Sequence, residues 1–310
     1  TATLSIGGQL DTNRDSAPSS RQRLILDTPT AVRGGKGDAA TLAIGQLRMT
    51  YDLGTPDGHE FFAIATSYRN WQRRLHQFEL FANTLETGFL FHTDIADISP
   101  SLVFGYANLR DQRFQRTAGG KLRAERQVSG LISMFGEVLG QYQHFSPVTR
   151  THQGMEIAPR ATELSGLRID GEFGLVFNLS ADHRLSASYT RTRKEAQRDE
   201  NAYDGDQIAL RHTWLLGGGS FLLATLSGQQ DLYDGPDTVI SARTRRDRIL
   251  RGQVGFGTPL SNLLPNALAE PFGDITLLAL VEGSHARSNL KNYSTDNLRG
   301  QMLLTKLWEF

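Results

Sequence analysis

The chain has 310 residues, of which 39% are hydrophobic, 33 basic and 33 acidic, and none is cysteine. Zero net charge gives no global pull toward nucleic acid. The lack of cysteine excludes disulfide scaffolds and thiolate metal sites. No run of about 18 apolar residues occurs, so no transmembrane helix is expected. "TATLSIGG" has neither the basic region nor the apolar core of a secretion signal, as expected of a trimmed chain. A mean hydropathy of −0.35 suits a soluble protein. It suits a membrane barrel equally well, because such a barrel needs apolar residues only at alternate positions of its strands.

That alternation runs through the chain. At the start Ala2, Leu4, Ile6 and Leu10 alternate with Thr3, Ser5, Gln9 and Asp11. "DTNRDS" (Asp11 to Ser16) begins like a calcium loop but lacks the glycine and glutamate that such a loop needs. It reads as a strand leaving the membrane. "RGGKGD" (Arg33 to Asp38) lacks phosphate-loop spacing and reads as a flexible external loop. "AIGQLRMTYDL" sets Ala43, Gly45, Leu47, Met49, Tyr51 and Leu53 against Gln46, Arg48, Thr50 and Asp52. Beyond the turn "TPDG", Phe62, Ile64 and Tyr68 read as an apolar, lipid-side face opposed by Ala63, Ala65, Ser67 and Arg69. In "HQFELFANTLETGFLFH" the alternation changes phase near Asn83, which suggests a bulge. "SLVFGYANL" puts Leu102, Phe104 and Tyr106 on one face, and "RQVSGLISMFGEVLGQYQHF" reads as two strands with a turn near Met134 to Gly140.

"LRIDGEFGLVFNL" holds the alternation longest. Leu167, Ile169, Phe173, Leu175, Phe177 and Leu179 oppose Arg168, Asp170, Glu172 and Asn178 over about thirteen residues, where a soluble strand averages about 5–6. Leu185, Ala187 and Tyr189 then oppose Arg184. Ile208, Leu210, Trp214 and Leu216 oppose Arg211, and Leu250, Val254 and Phe256 oppose Arg251. The last segment sets Leu298, Met302, Leu304, Trp308 and Phe310 against Arg299, Gln301, Thr305 and Glu309.

Short turns ("TPDG", "SADH", "LGGG") alternate with long polar stretches at 14–40, 147–164, 194–203 and 233–246. Short periplasmic turns opposite long external loops are the outer-membrane pattern. The expected fold is all-β: one transmembrane antiparallel up-and-down barrel over 1–310 in the bacterial outer membrane, of about fourteen strands, with twelve and sixteen as alternatives. A soluble sandwich would carry the same charges on a solvated face, but a sheet in lipid must close. "TPLSNLLPNALAEPFGD" is long for the short-turn side and reads as a short periplasmic helix.

Site expectations follow from this layout. Arg48, Asp52, Arg168, Asp170, Glu172, Arg184, Arg211, Arg251 and Arg299 are the lumen-lining candidates. Arg69, Arg73, Arg74, Arg191, Arg193, Arg243, Arg245 and Arg246 cluster at the external ends and are candidates for lipopolysaccharide phosphates. Trp308 and Phe310 would lie at the periplasmic aromatic girdle as the signal read by the barrel-assembly machinery. His183 and His212 show no second ligand nearby, and no Ser/His/Asp set stands out. No metal, cofactor, nucleic acid or enzymatic role is expected; outer-membrane lipid and lipopolysaccharide are the expected partners.

"PDTVISARTRRDRILRGQVGFGTPLS" (Pro236 to Ser261) and "SHARSNLKNYSTDNLRGQMLLTKLWEF" (Ser284 to Phe310), with Ser288, Asn289, Tyr293, Asn297, Arg299 and Phe310 weighed most, resemble the C-terminal barrel module of tetratricopeptide-bearing outer-membrane proteins, including surface lipoprotein assembly modifiers. That resemblance implies a conduit for export or assembly of a surface lipoprotein or polysaccharide, with a periplasmic helical-repeat domain or export cargo as partner. A passive diffusion porin, and a structural barrel anchoring a surface partner, are the alternatives.

Overall fold

The computed structural model describes residues 1–149, 158–265 and 272–310. In chain order the strands are β1 (Ala2–Asp11), β2 (Gln22–Ile25), β3 (Thr28–Ala31), β4 (Asp38–Asp52), β5 (Glu60–Gln72), β6 (Leu80–His92), β7 (Asp97–Leu109), β8 (Gln112–Gln127), β9 (Ile132–Phe145), β10 (Gly166–Asn178), β11 (His183–Lys194), β12 (Tyr203–Gly217), β13 (Ser220–Tyr233), β14 (Arg246–Pro259), β15 (Ile275–Ser288) and β16 (Thr295–Trp308). Fourteen of them form one closed antiparallel barrel, each paired with its chain neighbour and β16 paired back to β1. The other two, β2 and β3, make a small hairpin inside the first loop.

Closure runs the length of β1, from Ala2 opposite Trp308 to Asp11 opposite Arg299. The strands approach so closely there that a Cβ on Gly7 would lie 1.9 Å from the Met302 carbonyl oxygen, so no other residue fits. Every barrel strand has 10 to 16 residues, the length that crosses a bilayer at a tilt.

The register assigns the two faces. Leu4, Ile6 and Leu10 on β1, Leu167, Ile169 and Phe173 on β10, and Leu250, Val254 and Phe256 on β14 share the outer face and are exposed. Hydrocarbon is the medium in which such a belt costs nothing. The inner face carries charged residues in mid-strand, among them Arg168, Asp170 and Glu172. It also carries an apolar strip: Leu42, Ile44, Phe62 and Ile64 on β4 and β5, and Leu278, Leu280 and Leu303 on β15 and β16.

Three sequence expectations need correction. Phe62, Ile64 and Tyr68 face inward, and their small neighbours Ala63, Ala65 and Ser67 face lipid, because β5 pairs Tyr68 with Ile44 and Asn70 with the fully buried Leu42. No bulge lies at Asn83; β6 keeps one register and Asn83 is a polar residue on the outer face. Register shifts occur instead at Ala107/Asn108 and at Leu215/Gly217. The turn between β8 and β9 is residues 128–131, and Met134 to Gly140 lie inside a continuous strand. Of the stretch expected to hold a short helix, Leu260–Leu263 form a 3-10 turn, and residues 266–271 lie outside the described residues.

The sidedness yields a first prediction. Val281 sits mid-strand on the outer face, between Val254 and Gly300. Val281→Arg should cost about 2–4 kcal/mol of folding free energy in a bilayer. Gln253→Arg, on the inner face of the neighbouring strand, should stay within about 0.5 kcal/mol of wild type. Urea titration of folding into lipid vesicles measures both.

Candidate functional site: the lumen and its outer mouth

All nine lumen-lining candidates lie on the inner face by register, on β4, β10, β11, β12, β14 and β16. Most charges on this wall are paired with neighbours along it. Arg168 donates to both carboxylate oxygens of Asp170 at 2.7 and 2.9 Å, and the Thr192 hydroxyl donates to the same group at 2.6 Å. Arg123, Glu125 and Glu137 form a second set at 2.9 and 3.4 Å, with the guanidinium 4.3 Å from the Phe135 ring centre. Lys121 meets Glu86 at 2.5 Å, and Ser101 donates to that carboxylate. Arg251 donates to Gln229 at 3.0 Å, and Arg299 meets Asp11 at 3.5 Å and Glu282 at 3.9 Å. Inside a low-dielectric wall, pairing of this kind is what makes buried charge tolerable.

Sequence reasoning missed Glu86, Lys121, Arg123 and Glu137 because it misplaced the β8–β9 turn and the β6 register. The pairing of Arg123 with Glu137 across β8 and β9 only exists once the turn is at 128–131.

The two ends of the lumen differ. Toward the chain termini, Arg48, Asp52, Arg184 and Arg211 are exposed on the inner face, and among the described residues no carboxylate meets Arg48, Arg184 or Arg211. Large side chains lie flat there. Phe221 packs over Gly257, where a Cβ would lie 2.2 Å from its ring, and Phe135 packs over Gly174 in the same way. Glycine leaves the ring nowhere to clash, so the ring hugs the wall instead of crossing the bore.

Toward the long loops, the inner face is buried: Gln9, Asp11, Asp38, Asn70, Gln72, Gln143, Lys194, Asp231 and Asp247. Loop 12–37 lies at this end. Arg14 donates to the Phe78 carbonyl oxygen at 2.7 Å. The hairpin bonds to the neighbouring loops 234–245 and 289–294. Its turn residues Leu26 and Asp27 have φ of 49° and 63°, the left-handed pair that a tight hairpin turn requires and that leucine seldom adopts. Their N–H groups donate to the Val239 and Ile240 carbonyls at 3.0 and 2.9 Å. The Asp27 carboxylate accepts from the Ser241 hydroxyl and the Ala242 N–H, and these bonds hold its acidity below the usual carboxylate range. Asn292 exchanges bonds with the Leu24 backbone at 2.6 and 3.1 Å, and Lys291 donates to Gln22 at 2.7 Å.

The rim candidates divide. Arg69 is on the outer face, 5.1 Å from the Trp71 ring centre. Arg73 and Arg74 sit in the β5–β6 loop, where Arg74 meets Asp38 at 3.5 Å. Arg191 and Arg193 are on the outer wall, neutralised by Asp204, Asp206 and Asp234. Arg243 is exposed in its loop and Arg246 on the outer wall. Arg245 is no rim group. It is held at the mouth between the Tyr233 and Tyr293 rings, at 4.4 and 3.4 Å, and meets Asp247 at 2.5 Å.

Trp308 is on the outer face opposite Ala2, and Phe310 lies exposed beyond β16. His183 and His212, expected to be isolated, stack on each other with Nδ1 3.2 Å from Nε2 and with Trp214 beside them. Among the described residues no group of three or more His, Cys, Asp or Glu is arranged to hold a metal.

No family model and no curated protein matches the chain. Solved structures similar to it include Pseudomonas aeruginosa OpdL, at 10% identity and TM-score 0.44 over 99% of each chain. Acinetobacter baumannii OccAB3 has 11% identity and TM-score 0.45 over 98% of each. Vibrio cholerae OmpT lacking loop L8, an outer membrane protein, has 9% identity and TM-score 0.46 over 99% of this chain and 98% of that one. Likeness at this level says nothing of solute or partner. The resemblance of the last third to tetratricopeptide-bearing barrels finds no counterpart among these structures.

The Asp27 latch has a signed pH dependence. Its folded acidity is stronger than the unfolded one, so its contribution is present above the ordinary carboxylate value of about 3.9 and is lost as pH falls through the depressed folded value. Protease cleavage at the hairpin should therefore be slow from pH 5 to pH 8 and fast in Asp27→Ala over that whole window.

Proposed function

We propose that the chain is a bacterial outer-membrane channel that passes small polar solutes through a charged lumen, with its outer mouth closed by a latched hairpin. The carrying observation is the asymmetry of the inner wall. Its charges are exposed in the half near the termini and buried in the half near the long loops. A wide charged vestibule admits and concentrates hydrated solutes, and the narrow, polar outer half selects among them. Asp247 Oδ1, Arg299 Nε and Gln72 Nε2 in that half have no hydrogen-bond partner among the described residues, a capacity that passing water or solute would satisfy.

The inner wall's own pairing supports passage of small molecules. Arg168–Asp170 and Arg123–Glu137 are bonds along the wall, so the bore stays clear of side chains bridging it. Export of a macromolecule, the reading that the sequence resemblance implies, is favoured by one feature. The vestibule opens on the side of the chain termini, where cargo from the periplasm would enter. That route would require the hairpin to be displaced entirely.

Planar-bilayer recording tests the channel. Wild-type barrels should give a small, steady conductance, and deletion of residues 22–31 should raise it severalfold. Arg184→Glu with Arg211→Glu should move the reversal potential toward cation preference. A barrel that stays silent with the hairpin removed would exclude solute diffusion and leave the export or anchoring roles.

A further inference from the structure

The outer wall carries one row of polar residues that neither the lumen nor the latch uses. In register around the barrel, Arg191 lies opposite Asp206, Asp206 opposite Gln230, Gln230 opposite Arg248, and Arg248 opposite Arg287. At one end the row is neutralised, since Asp206 accepts from Arg191 at 2.6 Å and from the Tyr189 hydroxyl at 2.5 Å. At the other end two guanidinium groups face each other directly across β14 and β15. Like charges in that position repel, and Arg246 adds a third cation one step nearer the loops. Among the described residues no carboxylate meets Arg246 or Arg248.

Arg287 is held in place. Its Nε donates to His285 Nε2 at 2.9 Å, and His285 Nδ1 in turn meets the Asp296 carboxylate. Accepting at Nε2 requires the imidazole to donate at Nδ1, so Asp296 fixes the ring and the ring fixes Arg287. That leaves the two terminal nitrogens of Arg287 for something outside the protein. The charged groups around it on the wall are Arg246, Arg248, Asp296 and the neutralised Asp206, with the neutral His285 as its titratable neighbour.

A groove of about 600 Å³ runs beside the pair. Its floor is Gly228, at which a Cβ would meet nothing within 4 Å. The groove is polar toward the long loops, at Arg248, Arg287 and Gln230. It is apolar toward mid-barrel, at Ile208 and Leu250. A ligand matching that order has an anionic head and a hydrocarbon chain pointing into the membrane.

We propose that Arg248 and Arg287 clamp a phosphomonoester of an outer-leaflet glycolipid of the lipid A class, with one acyl chain lying in the Gly228 groove. Paired guanidiniums present parallel donors to a phosphate dianion. The outer-leaflet source follows from the site's place at the long-loop end, and so rests on the orientation used for the proposed channel.

Native mass spectrometry of the full barrel in detergent, titrated with bisphosphorylated lipid A, tests the clamp. Wild type should hold one lipid A at least about tenfold more tightly than Arg248→Gln with Arg287→Gln. Gly228→Leu should weaken retention as well, by filling the groove while leaving both arginines in place. Arg126→Gln, an exposed arginine at the short-turn end of β8, should bind like wild type, and heat-modifiable gel migration confirms that each variant is a folded barrel. Equal retention by the double arginine variant would overturn the proposal. So would equal binding of dephosphorylated lipid A, or of phosphatidylglycerol, which would mean a non-selective anionic surface. Conductance recorded on the same preparations separates the two readings: loss of lipid selectivity with an intact channel overturns only the clamp.

Discussion

Everything in this molecule depends on the hydrogen bonds that join β1 to β16. A spanning sheet with two free edges would leave about ten backbone groups on each edge without water to pair with, at several kcal/mol apiece. Ten residue pairs from Ala2–Trp308 to Asp11–Arg299 remove that cost. Gly7 is the local condition for it, since its missing side chain is the space taken by the Met302 carbonyl. Closure also decides what each face can be. Once there is no edge, one side of every strand must meet hydrocarbon and the other must meet the enclosed bore.

The consequences differ on the two sides. Outside, single apolar residues suffice, because lipid tails conform to any shape and no specific packing is demanded. Inside, charge has to be matched, and the wall does this locally. Arg168 with Asp170, Lys121 with Glu86, and Arg123 with Glu125 and Glu137 are neighbours along the sheet. Glycines beneath Phe135 and Phe221 keep large rings against the wall. Loop 12–37 sits at the long-loop end, tied to the neighbouring loops 289–294 and 234–245 by bonds at Leu26, Asp27 and Leu24. The barrel wall and the hairpin are thus separable parts of one chain.

The sequence was most legible where both faces were pure. β10 alternates from Leu167 to Leu175 with only Gly171 off the pattern, and its inner charges, Arg168, Asp170 and Glu172, fall where alternation put them. It misled where the inner face is itself apolar. On β5 the bulky Phe62, Ile64 and Tyr68 outrank Ala63, Ala65 and Ser67 in hydrophobicity, so the strand reads inside out. Only its pairing with Leu42 and Ile44 on β4 reveals the apolar strip of the lumen. The β8–β9 turn, "VSGL", is four residues with a single glycine, a weaker signal than the glycines at 136 and 140 inside β9. The β2–β3 hairpin was hidden because its turn is Leu26–Asp27, a pair with no intrinsic preference for positive φ that is imposed by contacts with residues 239–242. The Arg248–Arg287 pair brings together residues 39 apart in sequence, a meeting that only strand register discloses.

The chain contains no cysteine, so single cysteines can be placed at will and read by spin-label accessibility to oxygen in lipid and to a nickel chelate in water. A scan along β5 is the most direct measurement, because there hydrophobicity and register disagree. Labels at 61, 63 and 65 should report lipid, and labels at 62, 64 and 68 should report the enclosed bore. If positions 62 and 64 instead report lipid, the inner and outer faces have been exchanged and the account of the lumen fails.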